Sequence, residues 1–321
     1  MLVAVVLFCV GLLFLIKGGD WFVDGATGIA KKFHIPEVLI GATVVSIGTT
    51  IPEVMVSVNS ALVGHGEIAY GNAVGSIICN CALIAAISMT FNPSKVEREA
   101  LKYPVAFFYI AAAFYLFIAY FTGVFSRTCG LILLSIFLVY MVTTVNKAMR
   151  MTKTDENEKE TEEESKLLKN LALLVVGAAA IAVGANLLVD NGTIIANELG
   201  VPESVIALTF IALGTSLPEL ITAITALIKG HSDLSLGNVI GANLFNLVLV
   251  SGAASALSPF TLPLSRQING MNASLVVDIP LMLLVMLIVT VPALIKERVY
   301  KAQGIILLCI YAAFCLYQFL G

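Results

Sequence analysis

Two glutamates, Glu53 and Glu219, each directly follow a proline in the interior of an apolar stretch. The surrounding segments are Gly48–Glu53, which reads GTTIPE, and Gly214–Glu219, which reads GTSLPE. A carboxylate at membrane depth costs about 2.5 kcal/mol or more, so it indicates a functional site. Each proline lacks an N–H and therefore frees the carbonyl of the glycine four residues earlier. Buried carboxylates, free carbonyls and neighbouring hydroxyls predict an oxygen-rich site for a hard cation.

The alternative is a proline kink in which each glutamate pairs with a lysine. Lys17 is the one basic residue that falls in the deep part of a predicted span, and it lies towards the end of its own segment. Irregular backbone at membrane depth survives only where it lines a cavity or binds something. We therefore favour the cation site.

The composition is that of a membrane protein. Hydrophobic residues make up 59% of the 321 residues and charged residues 12%, whereas soluble domains have about 45–50% and about 25%. The chain is predicted to be polytopic, with the lipid bilayer as a partner. Its net charge of −3 comes mainly from one acidic loop, so no nucleic-acid binding is expected. The six cysteines lack zinc-type spacing and are interpreted as core residues.

Apolar windows predict ten membrane-spanning helices and therefore an all-α polytopic fold. The predicted spans are about 2–28, 37–63, 68–91, 102–122, 128–147, 168–190, 203–228, 234–257, 273–294 and 303–320. The connections are short except for residues 147–170, which contain the acidic run Asp155–Ser165. That segment is expected to be a solvated, mobile linker.

The positive charges predict the orientation of the chain. Placing the N-terminus outside puts 15 of the 18 lysines and arginines on the cytoplasmic side. Arg127 and Arg266 fall outside, and Lys17 lies within the first span. We therefore expect both termini to be external, the 147–170 linker to be cytoplasmic, and the protein to lie in the plasma (inner) membrane.

An offset of 166 residues lays the second half of the chain on the first without a gap. It places Glu53 on Glu219 and aligns further pairs, among them Asp24 with Asp190, Gly71-Asn72 with Gly237-Asn238, Asn80 with Asn246, and Pro93 with Pro259. Each half, 1–146 and 171–321, holds five predicted spans. Because five is odd, the second half enters the membrane from the opposite side. This predicts an inverted-topology repeat that binds its substrate at the midplane and works as a functional monomer.

The paired motifs resemble the α-repeats of the sodium/calcium exchangers in the cation/calcium exchanger superfamily. Gly48–Glu53 with Gly71–Asn80 forms the first motif pair, and Gly214–Glu219 with Gly237–Asn246 forms the second, within α-repeats at about 37–91 and 203–257. The resemblance covers nearly the whole chain, and the lack of a large insert is similar to the compact prokaryotic form. It implies a calcium/sodium antiporter that transports Ca²⁺ and Na⁺ and needs no cofactor.

The resemblance also implies a calcium site. Ca²⁺ takes six to eight oxygens from carboxylates, carbonyls and amides, and two glutamates match its charge. Thr49 and Thr215 precede their glutamates by four residues and so share their helix face. By resemblance, the ligands are Glu53, Glu219 and the backbone carbonyls of these threonines.

Two sodium sites are implied beside it. By resemblance, the first has the Ser216 and Ser76 hydroxyls, the Ala212 carbonyl and Glu53, and its pseudo-symmetric mate has the Thr50 hydroxyl, the Ser46 carbonyl and Glu219. The mate's remaining position falls on Ala242, where a serine is usual in the family. Asn80 and Asn246 lie at the centre, where one of the pair is often Asp. The sequence therefore leaves the sodium count open.

Structural roles are the alternative for several of these residues. Asn80 and Asn246 could join helices by hydrogen bonds, and the hydroxyls of Thr49 and Thr50 could bond back to their own helix. Asn72 and Asn238 could cap or join the broken helices, and the sequence leaves their role open. Close packing is the interpretation preferred for four motif glycines, which are Gly71, Gly75, Gly237 and Gly241.

Two carboxylates cannot neutralise Ca²⁺ and several Na⁺ at once, so binding of the two ions should be mutually exclusive, which is antiport. The resemblance implies that spans 1 and 6 move against a core of spans 2, 3, 7 and 8. A calcium/proton antiporter would use the same glutamates as proton carriers, because burial favours the protonated form. A potassium-dependent sodium/calcium exchanger also remains open.

Other classes are less favoured. A magnesium transporter is less favoured because Mg²⁺ keeps its waters, and a cation channel would need rings of subunits around a pore. No His-Glu-x-x-His or Gly-x-Ser-x-Gly motif occurs in the sequence. We therefore predict that the chain is not an enzyme.

Overall fold

The computed structural model describes residues 2–152, 160–199, 214–263 and 267–320, and its architecture is all-α. Ten helices carry the described part of the chain. They are α1 (Leu2–Lys32), α2 (Glu37–Leu62), α3 (Gly66–Phe91), α4 (Arg98–Thr122), α5 (Arg127–Thr152), α6 (Glu160–Glu198), α7 (Leu217–Ile228), α8 (Ser232–Leu257), α9 (Ser274–Lys296) and α10 (Lys301–Leu320).

Within the described residues, nine of these helices are long and apolar enough to cross a membrane, and α7 is a shorter apolar helix. Every predicted span therefore coincides with a helix, and the expected polytopic all-α fold is confirmed. The seventh predicted span, 203–228, is described from residue 214 onwards, so its first part lies outside the described residues.

The helices are longer than the apolar windows, most of all around the acidic linker. Helix α5 continues to Thr152 and α6 already begins at Glu160, so the described residues at both ends of the predicted 147–170 linker are helical. Glutamate, lysine and leucine favour helix, and acidic residues in the first turn interact well with the helix dipole. Hydropathy marks where the bilayer ends, but it does not mark where a helix ends.

Five of the long helices contain a π-helical turn. Two of these turns begin at equivalent asparagines, Asn80–Ala85 in α3 and Asn246–Val250 in α8, and another, Gly41–Val45, precedes Ser46 in α2. The Tyr140 hydroxyl donates to the Ala42 carbonyl in this last turn at 2.8 Å. Such turns are common at functional sites, and here they flank the two glutamate motifs.

The proline motifs behave differently in the two halves. Helix α2 runs through Pro52 without a break, and its irregular turn comes earlier, at Gly41–Val45. In the second half, residues 214–216 form a turn and α7 starts at Leu217, with Pro218 in its first turn. A proline in a first helical turn causes no conflict, because the N–H it lacks would have no partner there.

Helices α1 and α6 form a close antiparallel pair. A side-chain atom at Gly11 would lie 2.9 Å from the Gly184 carbonyl, and one at Gly18 would lie 3.0 Å from the Gly177 carbonyl. These four glycines fall on the 166-residue offset, so the two halves contribute the same surface. Small residues let helix backbones approach closely in a membrane. The α1/α6 pair is therefore built to behave as one body.

The core lies between the remaining helices of both halves. Helix α8 is the most buried apolar helix, with 83% of its apolar window inside the described structure, against 28% for α1 and for α6. Its Gly237 backbone lies directly against Val38 of α2, where no side chain would fit. Helices α2, α3, α7 and α8 thus surround the protein centre, and α1 and α6 lie outside them.

The two ends of the bundle differ in their polar contacts. At one end, which we call the basic end, Lys229 pairs with Asp24 at 2.8 Å and His231 with Glu37 at 2.9 Å. At the other end the strands β1 (Val124–Phe125) and β2 (Phe260–Thr261) pair antiparallel, followed by the hairpin of β3 (Gln267–Ile268) and β4 (Met271–Asn272). The basic end also holds the bridge between Lys95 and Arg298, whose loop is tied to it by the bond from Asn92 to Ser232 at 2.7 Å.

Candidate cation-binding site

The two motif glutamates meet in the protein interior. Glu53 is 1% exposed and Glu219 is 0% exposed, and the carboxylates lie close enough to repel each other. Oε2 of Glu53 and both carboxylate oxygens of Glu219 are buried without a hydrogen-bond partner in the described part of the chain. The structure thus brings together one acidic side chain from each half, as the sequence predicted.

No ion pair within the described residues involves either carboxylate. The alternative of a kink with a glutamate–lysine pair is therefore not supported by the described part of the chain. An uncompensated buried charge costs several kcal/mol, and two of them beside each other cost more. This arrangement is stable only with a bound cation or bound protons.

Threonines of the first half face the glutamate of the second half. Thr49 and Thr50 are 1% and 0% exposed, and both side chains lie beside the Glu219 carboxylate. The Thr50 Oγ1 atom is buried without a partner, so it does not bond back to its own helix. The Thr49 hydroxyl lies 3.4 Å from the Ser46 carbonyl of its helix and 3.3 Å from Asn238 Oδ1 of the other half.

The central asparagines add neutral oxygens. Asn80 is 1% exposed and Asn246 is 0% exposed, and each opens a π-helical turn. Oδ1 of Asn80 and both polar side-chain atoms of Asn246 are buried without a partner among the described residues. Amides that join helices would have their hydrogen bonds satisfied. The missing partners of Asn80 and Asn246 therefore do not support a purely structural role.

The serines predicted to flank the glutamates are also buried. Ser76 is 5% exposed and Ser216 is 3% exposed, and Ser216 lies against Cys79, one turn after Ser76 on α3. The hydroxyl of Ser46 donates to the Gly41 carbonyl at 2.7 Å, and its oxygen lies 3.0 Å from the Asn238 backbone carbonyl. The backbone carbonyl of Ser46 is the atom predicted to bind sodium. Ala212, the remaining residue of that prediction, lies outside the described residues.

The pseudo-symmetric positions 76 and 242 differ in chemistry. Ser76 carries a hydroxyl, whereas Ala242 is 0% exposed and offers a methyl group. The two sides of the centre are therefore unequal in oxygen count, although their backbones follow the same repeat. The 166-residue offset alone reveals this difference between Ser76 and Ala242 in the sequence.

The packing prediction for the motif glycines is confirmed at two of its four positions. A side chain at Gly237 would meet the Val38 backbone, and one at Gly241 would meet Ser46 and Ala42. The equivalent partners of Gly71 and Gly75 are residues 204, 208 and 212, which lie outside the described residues. For these two glycines, close packing stays a prediction.

Sequence reasoning left Asn72 and Asn238 without a role, and the structure gives them partners. Asn72 Oδ1 accepts a hydrogen bond from Thr215 Oγ1 at 3.2 Å, which matches the contact of Asn238 with Thr49. The sequence already contained a signal for this pairing of asparagine with threonine. All four residues fall on the 166-residue offset, so the same pair occurs twice.

A cleft of ≈190 Å³ lies between the α1/α6 pair and the motif segments. Phe22 of α1 and Ala178 of α6 form one wall, and Thr49 forms part of the other. Both motif prolines, Pro52 and Pro218, also line it. The cleft therefore joins the outer helix pair to both glutamate motifs.

Comparison with known proteins gives three kinds of match. The family model described as sodium/calcium exchanger protein matches residues 3–146 and 169–320. Inner membrane protein YrbG of Escherichia coli K12 is 36% identical over 265 residues, 81% of each chain. Sodium/calcium exchanger MaX1 of Methanosarcina acetivorans is 30% identical over 353 aligned positions, covering 96% of each chain.

A solved structure shares the fold over almost its whole length. The sodium-calcium exchanger NCX_Mj, soaked with Na⁺ and Sr²⁺, superposes with a TM-score of 0.81 and 30% identity, covering 97% of both chains. The family match falls on both halves and leaves out 147–168, the stretch around the acidic run.

Proposed function

The chain belongs to the sodium/calcium exchanger family, and we propose that it is a secondary active antiporter that exchanges Na⁺ for Ca²⁺ across a membrane. The observation that carries this proposal is the pair of buried carboxylates, one from each half, whose free oxygens have no partner in the described part of the chain. It is a transporter and not an enzyme, and the ions are its substrates.

Glu53, Glu219 and the backbone carbonyls of Thr49 and Thr215 hold Ca²⁺. The two carboxylates supply the charge that matches a divalent ion, and Ca²⁺ accepts carboxylate and carbonyl oxygens at about 2.3–2.6 Å. Burial of Glu53 and Glu219 supports this assignment, since the binding of Ca²⁺ removes the repulsion between them.

Sodium binds beside the calcium position. Ser76 and Ser216 hydroxyls, the Ala212 carbonyl and Glu53 form one site. The Thr50 hydroxyl, the Ser46 carbonyl and Glu219 form the other, and the unpaired Thr50 Oγ1 beside Glu219 supports it. The amides of Asn80 and Asn246 lie between them as neutral oxygen donors.

Exchange follows from the charge of the site. Two carboxylates neutralise one Ca²⁺ or a set of Na⁺, but not both, because the surplus positive charge would be buried without a partner. Sodium that enters down its gradient therefore displaces Ca²⁺. The α1/α6 pair, joined along its glycines, moves against the core of α2, α3, α7 and α8 and opens the site to each side in turn.

The sidedness follows from the basic residues. The basic end faces the cytoplasm, both termini are external, and residues 147–170 are cytoplasmic. The protein lies in the plasma (inner) membrane as a functional monomer, because both halves of the site come from one chain.

The decisive experiment measures which gradient drives calcium. We expect proteoliposomes loaded with Na⁺ to accumulate ⁴⁵Ca²⁺ when diluted into sodium-free buffer, and to accumulate little when Na⁺ is equal on both sides. A pH gradient without sodium tests the proton antiporter, and K⁺ added on one side tests potassium dependence. Uptake that ignores the sodium gradient and follows the pH gradient would contradict the proposal.

The unequal positions 76 and 242 give a prediction for sodium. Restoring a hydroxyl with Ala242→Ser should complete the poorer sodium site, lower the half-saturating Na⁺ concentration by about tenfold, equivalent to about 1.4 kcal/mol, and steepen the sodium dependence. Calcium half-saturation should change little. The measurement is ⁴⁵Ca²⁺ efflux as a function of external Na⁺.

Ser76→Ala is the matched change at the equivalent position and should act in the opposite direction. A serine at 242 that leaves both the midpoint and the steepness of the sodium curve unchanged would show that this position does not face a sodium ion.

A further inference from the structure

Asn72 in α3 and Asn238 in α8 form the same hydrogen bond in both halves, each time with the opposite half. Thr215 Oγ1 donates to Asn72 Oδ1 at 3.2 Å, and Thr49 Oγ1 donates to Asn238 Oδ1 at 3.3 Å. The two threonines directly precede Thr50 and Ser216 and lie four residues before the glutamates. A contact that recurs in both copies of the repeat is a property of how the halves fit together.

The amide of Asn72 is held by the glutamate segment of its own half. Its Nδ2 donates to the Glu53 carbonyl at 3.1 Å and to Ser57 Oγ at 2.9 Å. Both amide protons are thereby used, and the amide oxygen faces Thr215. One side chain thus joins the backbone of Glu53 to the hydroxyl of the threonine across the centre.

Asn238 is held by different neighbours but presents the same atom. Ser46 Oγ lies 3.0 Å from the Asn238 backbone carbonyl and 3.3 Å from Asn238 Oδ1. The preceding Gly237 packs on Val38. The residue equivalent to Ser57 is Ala223, so the support seen at Asn72 is absent here. The anchors differ between the halves while the bond to threonine is retained.

We propose that Asn72 and Asn238 are positioning residues for Ca²⁺, each of which orients the threonine of the opposite half so that its backbone carbonyl points at the ion. This rests on the proposed function, in which the Thr49 and Thr215 carbonyls are calcium ligands. A threonine hydroxyl has one proton, and donating it to the asparagine fixes the side chain relative to the other half. The attached carbonyl is restrained with it.

The proposal separates the two ions. Calcium needs carbonyl oxygens from both halves at once, so it depends on both bonds. Each sodium site takes hydroxyl oxygens, one carboxylate and the carbonyl of Ala212 or Ser46. None of its carbonyl ligands belongs to Thr49 or Thr215, so sodium binding depends less on the two bonds. Loss of either bond should therefore raise the calcium concentration required for half-maximal uptake, with little change in the maximal rate or in the sodium half-saturation.

A double-mutant cycle tests this on the full chain. We expect Asn72→Ala and Thr215→Val each to raise the half-saturating Ca²⁺ about tenfold, as is typical when a ligand-orienting partner is lost. The double variant should be no worse than either single one, because both remove the same bond. Thr215→Ser keeps the hydroxyl and should restore wild-type affinity. Asn238→Ala with Thr49→Val forms the equivalent cycle.

Calcium binding and thermal melting make the test independent of transport. Half-saturation is measured by ⁴⁵Ca²⁺ uptake and also by ⁴⁵Ca²⁺ binding to the purified protein, and thermal melting reports folding. Ser57→Ala removes one other partner of Asn72 and should leave calcium affinity within about twofold of wild type. If Asn72→Ala folds poorly, the near-isosteric Thr215→Val and Thr49→Val variants provide the test of the same bonds.

Independent effects would overturn the inference. If the single losses multiply to about a hundredfold in the double variant, Asn72 and Thr215 act separately and the asparagine is no positioning residue. Failure of the proposed function gives a different result, because the wild-type chain would then lack sodium-driven uptake while the binding cycle could still be read.

Discussion

Glu53→Gln and Glu219→Gln are each expected to abolish sodium-driven calcium uptake. Either change leaves one carboxylate for a divalent ion, and removing one partner of a buried charge interaction costs about 3–5 kcal/mol. That corresponds to a loss of calcium affinity of at least about a hundredfold. The measurement is ⁴⁵Ca²⁺ uptake into sodium-loaded proteoliposomes, with binding to the purified protein as a second readout.

The same variants should be as stable as wild type without calcium. Without an ion the two buried carboxylates are stable only with bound protons. Glutamine resembles the protonated side chain, so neither change adds or removes a buried charge in that state. Calcium should raise the melting temperature of the wild-type protein, because a ligand that binds only the folded state stabilises it. This calcium-dependent increase should disappear in both glutamine variants.

Glu67 provides the control, since it is exposed in the first turn of α3. Glu67→Gln removes the same charge from the same protein and should change neither uptake nor the calcium-dependent increase in melting temperature. Full uptake by Glu53→Gln or Glu219→Gln would refute the assignment of the calcium ligands.

The sequence was sufficient for the acidic centre because burying a charge is so costly. A glutamate after a proline inside an apolar span has few stable environments, and the internal offset places Glu53 and Glu219 as equivalent residues. Their convergence and burial follow from these two facts. The ten helices were predictable for the same kind of reason, since hydropathy reports the solvent that each segment faces.

Contacts across the centre could not be predicted in the same way. The bonds of Asn72 and Asn238 depend on the distance between helices of opposite halves, and periodicity along one helix carries no information about that distance. The ends of α5 and α6 were missed for a related reason, because they extend beyond the apolar windows. Local propensity and not hydropathy decides where those helices end.

The packing of α2 on α8 leads to the second large prediction. The backbone of Gly237 lies against the Val38 carbonyl, and a methyl group placed there would overlap it. Glycine to alanine within a helix normally gains about 1 kcal/mol, but forcing backbones apart in a packed core costs about 1–3 kcal/mol. Gly237→Ala should therefore lower the melting temperature despite its better helix propensity.

The effect should also reach the cation site. Asn238 directly follows Gly237 and accepts the Thr49 hydrogen bond, so a shift of α8 away from α2 stretches that contact. We expect Gly237→Ala to raise the calcium half-saturation as well as to reduce stability, which ⁴⁵Ca²⁺ uptake and thermal melting measure separately.

Gly252 on the same helix is the matched control. A methyl group there would lie 3.2 Å from the Leu133 side chain and 3.3 Å from the Gly130 carbonyl. These contacts need only small shifts, whereas a methyl group at Gly237 would overlap the Val38 carbonyl. Gly252→Ala should therefore be neutral or slightly stabilising, with normal calcium affinity. Equal behaviour of the two alanine variants would mean that the α2–α8 contact does not hold the site. A loss confined to Gly237→Ala would tie the geometry of the calcium ligands to the distance between these two helices.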